Sequence, residues 1–77
     1  MLAIDNDPAV PGAYVGWECK SGETVARLTV DDTASMLVVT FDPAKAPKNR
    51  EWREFVKGCH EQARDLGYGV CFVEGQP

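Results

Sequence analysis

Long apolar runs are missing from this chain: the longest, Met36 to Val39 and Val70 to Val73, fall far short of the roughly 20 residues a bilayer-spanning helix needs. No contact with a membrane is expected. A basic leader followed by an apolar stretch is missing as well, since the chain starts MLAIDNDP, so a secretory signal is not expected and a cytoplasmic location follows by default. Positive charge is in short supply, with 8 Lys and Arg against 12 Asp and Glu. The resulting net charge of −4 disfavours long-range attraction to nucleic acid or anionic lipid and suits a partner with a basic surface.

Residues for metal or covalent chemistry are few and badly spaced. His60 is the only histidine, and the three cysteines, Cys19, Cys59 and Cys71, are an odd number that favours free thiols over a disulfide framework. No pair among these four residues has CxxC or HxxxH spacing, so neither a metal nor a cofactor is expected. Cys59 and His60, adjacent on a predicted helix, point about 100° apart, which argues against a thiol–imidazole couple. The acidic pairs Asp5/Asp7 and Asp31/Asp32 lie in an arm and a turn. Gly12, Gly16, Gly22, Gly67, Gly69 and Gly75 form no phosphate-binding loop. Nothing in the sequence predicts an enzyme.

What is present reads as a small globular domain. At 77 residues the chain holds one hydrophobic core, and 44% apolar with 26% charged content is ordinary for such a protein. Residues 1–11 carry Asp5, Asn6, Asp7 and two prolines and read as an irregular arm, with a short strand at most at Leu2 to Ile4; residues 12–77 form the domain. Ala13 to Lys20 and Glu23 to Val30 predict a hairpin turning at Ser21-Gly22. With Lys20 opposite Glu23, that register places Val15, Trp17, Ala26 and Leu28 on one face. Met36 to Asp42 predicts a third strand, with Leu37, Val39 and Phe41 opposed to Val38 and Thr40.

Asn49 is a good N-cap for a helix over Arg50 to Leu66, whose apolar stripe is Trp52, Phe55, Val56, Cys59, Ala63 and Leu66. Gly67 is placed as its left-handed cap, and Gly69 to Glu74 as a final strand beside either the third or the first. The fold class is therefore α+β: two layers, ordered β-β-β-α-β, with a mainly antiparallel four-stranded sheet and one helix on one face.

Two surfaces are candidates for function. One helix covers one face of such a sheet. The predicted register leaves Tyr14, Val25, Val38, Cys71 and Val73 on the other face among Glu18, Arg27, Thr29 and Thr40, an apolar centre with a charged rim suited to protein contact. The expected partner-binding residues are Tyr14, Glu18, Val25, Arg27, Val38 and Thr40, acting on another protein, a complex, or a second copy of the chain. Small acidic proteins without an active site include inhibitors and regulators of this kind, among them phage-borne antagonists of bacterial defence such as anti-CRISPR proteins. This association is one of size and composition. The alternative is binding to nucleic acid or another polyanion through Arg50, Arg53, Lys57 and Arg64 on one flank of the helix. A third reading, a metal or redox site at the cysteines, lacks the necessary spacing.

Overall fold

The computed structural model describes residues 2–46 and 50–77. Its elements are β1 (Leu2–Asn6), β2 (Tyr14–Glu18), β3 (Thr24–Asp31), β4 (Met36–Phe41), α1 (Arg50–Leu66) and β5 (Gly69–Glu74). The strands lie in the sheet in chain order, β1-β2-β3-β4-β5, antiparallel except for the parallel pair β4–β5 that α1 connects. The α+β class and the single helix match the sequence reading, but the sheet has five strands rather than four. The added strand is β1: the short strand read at Leu2 to Ile4 within the arm is there, extends to Asn6, and runs antiparallel to β2 from Leu2 opposite Glu18 to Asn6 opposite Tyr14. Asn49, the expected N-cap, lies outside the described residues.

The hairpin register differs from the sequence reading by one residue. Instead of turning at two residues, the chain closes a four-residue loop: the N–H of Glu18 donates to the carbonyl of Glu23, and Gly22, at φ 72°, donates back to the carbonyl of Glu18. The Glu18 carboxylate accepts from the Lys20 N–H at 2.8 Å, and Ser21 Oγ accepts from the Glu23 N–H at 3.2 Å, so local side-chain bonds favour this wider turn. A bulge then inserts one extra residue, Val25, between the pairs Trp17↔Thr24 and Gly16↔Ala26. A net shift of one residue exchanges the faces of β2. Tyr14 and Gly16 turn toward the helix, while Val15 and Trp17, expected in the core, turn away.

Gly16 explains why this register wins. A Cβ at position 16 would lie 2.5 Å from Phe55 Cε1 and 2.7 Å from Cζ, so the bare backbone is the socket into which the buried Phe55 ring fits. Valine or tryptophan there would displace the ring. The core is Ala26, Leu28, Leu37, Val39, Phe55, Cys59 and Ala63, with Leu2, Ile4, Tyr14, Val30, Phe41, Trp52, Val70 and Phe72 packed around it. Rings of Phe41, Trp52 and Phe55 follow one another in contact, Phe41 tilted against Trp52 at 5.1 Å between centroids and Trp52 stacked on Phe55 at 5.2 Å. Of the predicted helix stripe, Leu66 alone is exposed, at the helix end.

Gly67, at φ 75°, ends the helix. Its N–H donates to Arg64 and the next N–H, of Tyr68, to Ala63, the double bond that satisfies the last carbonyls. Tyr68 also donates its hydroxyl to Asp32 at 2.6 Å, which ties the start of β5 to the β3–β4 turn and holds the phenol above its usual pKa.

Candidate binding surface on the sheet

Directly opposite residues in neighbouring strands share a face, so the ladders define rows across the sheet. One row on the face away from α1 is Asp5, Val15, Arg27, Thr40 and Val73; beside it run Thr29, Val38 and Cys71 on one side and Ala3 with Trp17 on the other. Val15, Trp17, Val38 and Thr40 are half-buried, and Thr29, Cys71 and Val73 are exposed. Among the described residues α1 is the one helix, and it packs on the opposite side.

Two contacts organise this face. Trp17 Nε1 donates to Asp5 Oδ2 at 2.6 Å, which fixes the indole across the β1–β2 pair. Arg27 Nη1 donates to Asp7 Oδ2 at 2.7 Å, and Asp7 also accepts the N–H of Ala9 at 2.9 Å. The Asp7 side chain is only 4% exposed while that of Arg27 is 43% exposed, so the ion pair is enclosed at its acidic end and open at its basic end. The ion pair therefore reaches from the end of β1 past β2 to the central strand β3.

Of the residues read from sequence as partner-binding, the structure brings Val25, Arg27, Val38 and Thr40 to this side. Val25 is 3% exposed and so is filler at the bulge rather than contact surface. Tyr14 and Glu18 are corrected: Tyr14 packs against the core on the helix side, and Glu18 pairs with Leu2 on that same side. In their place Val15 and Trp17 join the face. The Gly16–Phe55 clearance is the signal that could have found them, and a pattern of hydrophobicity does not contain it.

Arg50, Arg53, Lys57 and Arg64 are all exposed on α1. At 100° per residue they form a band facing away from the sheet, with Glu54, Glu61 and Asp65 immediately alongside. The band is thus mixed in sign. A groove of about 380 Å³, which sequence reasoning missed, lies where α1 meets β1 and is lined by Leu2, Ile4, Glu51, Glu54, Phe55 and Gly58. Gly58 allows the approach, since a Cβ there would stand 3.2 Å from Ile4 Cδ1.

The three cysteines are free and separated by the sheet: Cys59 is enclosed among core residues, Cys71 lies on the far face, and Cys19 is in the β2–β3 loop. Among the described residues no three His, Cys, Asp or Glu side chains are grouped to hold a metal ion. Burial pushes the Cys59 thiol up to about 12, so it behaves as a small hydrophobe. No described helix is long and apolar enough to cross a membrane. No family model, curated protein or solved structure matches the chain.

Proposed function

We propose that this chain is a non-enzymatic protein-binding module that acts by laying the sheet face away from α1 onto a larger protein or complex. The role is that of an inhibitor or regulator by occupation, the mode of phage-borne antagonists of bacterial defence. The observation that carries the reading is the composition of that face. Val15, Trp17, Val38, Cys71 and Val73 are the apolar residues of that face, and Arg27 on the central strand β3, with Asp5, Thr29 and Thr40, supplies polar groups between and around them. Apolar residues with an aromatic anchor and an arginine among them, and hydrogen-bonding groups around, are the features of a protein contact surface. The acidic net charge favours a partner whose own surface is basic.

The test compares affinity capture from a host lysate by the wild type, by Val38→Glu and by the double variant Arg53→Glu/Lys57→Glu. A partner held by the wild type and by the helix variant, but lost by Val38→Glu at an unchanged melting temperature, supports the reading. Retention by Val38→Glu with loss by the helix variant, together with binding that weakens steeply with salt, would transfer the function to the polyanion-binding alternative.

A further inference from the structure

We infer that β5 is a self-pairing edge, and that two copies of this chain join β5 to β5 antiparallel, about a two-fold axis at Cys71, to make one ten-stranded sheet. Among the described residues β5 bonds only to β4, so its outer side is an open sheet edge. In the parallel ladder the N–H groups of Gly69 and Gly75 point inward, to Ser35 and Phe41, so the alternation aims those of Val70, Phe72 and Glu74 outward.

Natural sheet edges are normally blunted by lysine, proline or inward charge. β1, the other edge, carries Asp5 and Asn6 and runs on to Asp7 and Pro8. β5 carries no such guard from Gly69 to Val73, and its first charged residue is Glu74. Val73 is 42% exposed beside this edge, and Cys71 is exposed too.

Self-complementarity selects the register. With Cys71 opposite the partner's Cys71, Val70 and Phe72 face the partner's Phe72 and Val70, and all four residues have their free N–H and C=O groups turned to the junction. Val73 then lies opposite the partner's Gly69, beside which the Met36 thioether is laid, its Sδ 2.9 Å from where a Cβ would stand, so the valine meets an apolar neighbour. Centring on Phe72 instead would set the Glu74 carboxylate against the partner's Val70, an unfavourable neighbour. Pairing β5 with itself also closes after two copies, whereas pairing β5 with β1 would propagate a filament. Because Cys71 falls in a pair without hydrogen bonds, the two Cα atoms lie about 4.5 Å apart. That distance is within the roughly 4.4–6.8 Å range of disulfides.

The experiment is sedimentation equilibrium of the full chain, from roughly 10 µM to 1 mM, on the wild type and Val73→Lys, with thiol crosslinking in parallel. Crosslinking uses Cys19→Ser, which keeps Cys71 as the exposed thiol, and Cys71→Ser, which keeps Cys19. The oxidant is diamide, which takes up the two hydrogens released as the disulfide forms. The inference expects a mass approaching twice 8.4 kDa for the wild type, a shift to monomer for Val73→Lys, and a covalent dimer from Cys19→Ser but not from Cys71→Ser. The crosslinking arm decides the matter even where Val73→Lys perturbs folding. A monomer across the whole range, a dimer that Val73→Lys leaves intact, or a dimer that does not crosslink through Cys71 overturns it.

Discussion

Replacing Gly16 by alanine tests the packing that determines which face of β2 meets the helix. The new methyl would arrive 2.5 Å from Phe55 Cε1, about 1 Å inside ordinary contact distance. Phe55 is 4% exposed and stacked on Trp52, which in turn packs at a tilt against Phe41, so the ring cannot retreat without moving two others. Overpacking of this kind costs about 1–3 kcal/mol. Removing a glycine from a strand returns up to ~1 kcal/mol, leaving a net loss of about 1–2 kcal/mol.

For 77 residues the total stability is about 4–12 kcal/mol, and each kcal/mol moves the melting temperature by about 4–8 °C. Gly16→Ala should therefore melt about 5–15 °C below wild type in a circular-dichroism scan. Combining it with Phe55→Leu supplies the control, since a smaller side chain makes room for the methyl. The double variant should lose less than the sum of the singles, by a coupling of about 1 kcal/mol. A Gly16→Ala chain as stable as wild type, with additive singles, would falsify the packing of Phe55 onto β2.

Four shorter predictions accompany it. Native protein should react at two thiols, Cys19 and Cys71, with a disulfide reagent such as DTNB, and at a third, Cys59, only on unfolding; three fast thiols would contradict the core. Cys59 has its pKa raised from 9.0 to about 12 by burial. Its contribution to stability is therefore complete below pH 9 and should be lost as pH rises from 9 toward 12, by about 1.4 kcal/mol per unit. Cys59→Ala should remove that part of the alkaline slope in urea titrations. Ser35 holds φ 54° in the β3–β4 turn, so Ser35→Gly should stabilise by about 0.5–1 kcal/mol and Ser35→Val should destabilise, as read by thermal melts. Arg27→Met, which leaves the enclosed Asp7 carboxylate without its cation, should cost about 1–3 kcal/mol in urea unfolding.

The parts of this fold that sequence revealed are those in which one element carries its own periodicity. The α1 stripe, its glycine cap, β4 and the core face of β3 all follow from alternation or a 3.6-residue repeat within a single segment. The parts it concealed depend on a contact between segments. Gly16 counts as no hydrophobic residue at all, so alternation along β2 favoured Val15 and Trp17, whereas the core needed a vacancy for Phe55. Glu18 and Ser21 held a wider turn than Ser21-Gly22 suggests. Leu2 to Ile4 read as a short strand at most, because Asp5, Asn6 and a proline soon follow, and its extension to Asn6 and its place in the sheet come from pairing with β2. The sheet surface was legible as a surface, with four of its six named residues on the expected side, but its aromatic anchor Trp17 depended on the register.

The most direct test of an accessible sheet face is a pair of neighbours on β4 that the ladder sends to opposite sides. Leu37 is 0% exposed under α1, and Val38, next to it, is half-buried between Thr29 and Cys71. Melting temperatures of Leu37→Glu and Val38→Glu should diverge completely, the first chain failing to fold and the second staying within about 4–8 °C of wild type, the shift that 1 kcal/mol gives. If Val38→Glu collapses as Leu37→Glu does, the far side of the sheet is a second core, and no binding role can be assigned to it.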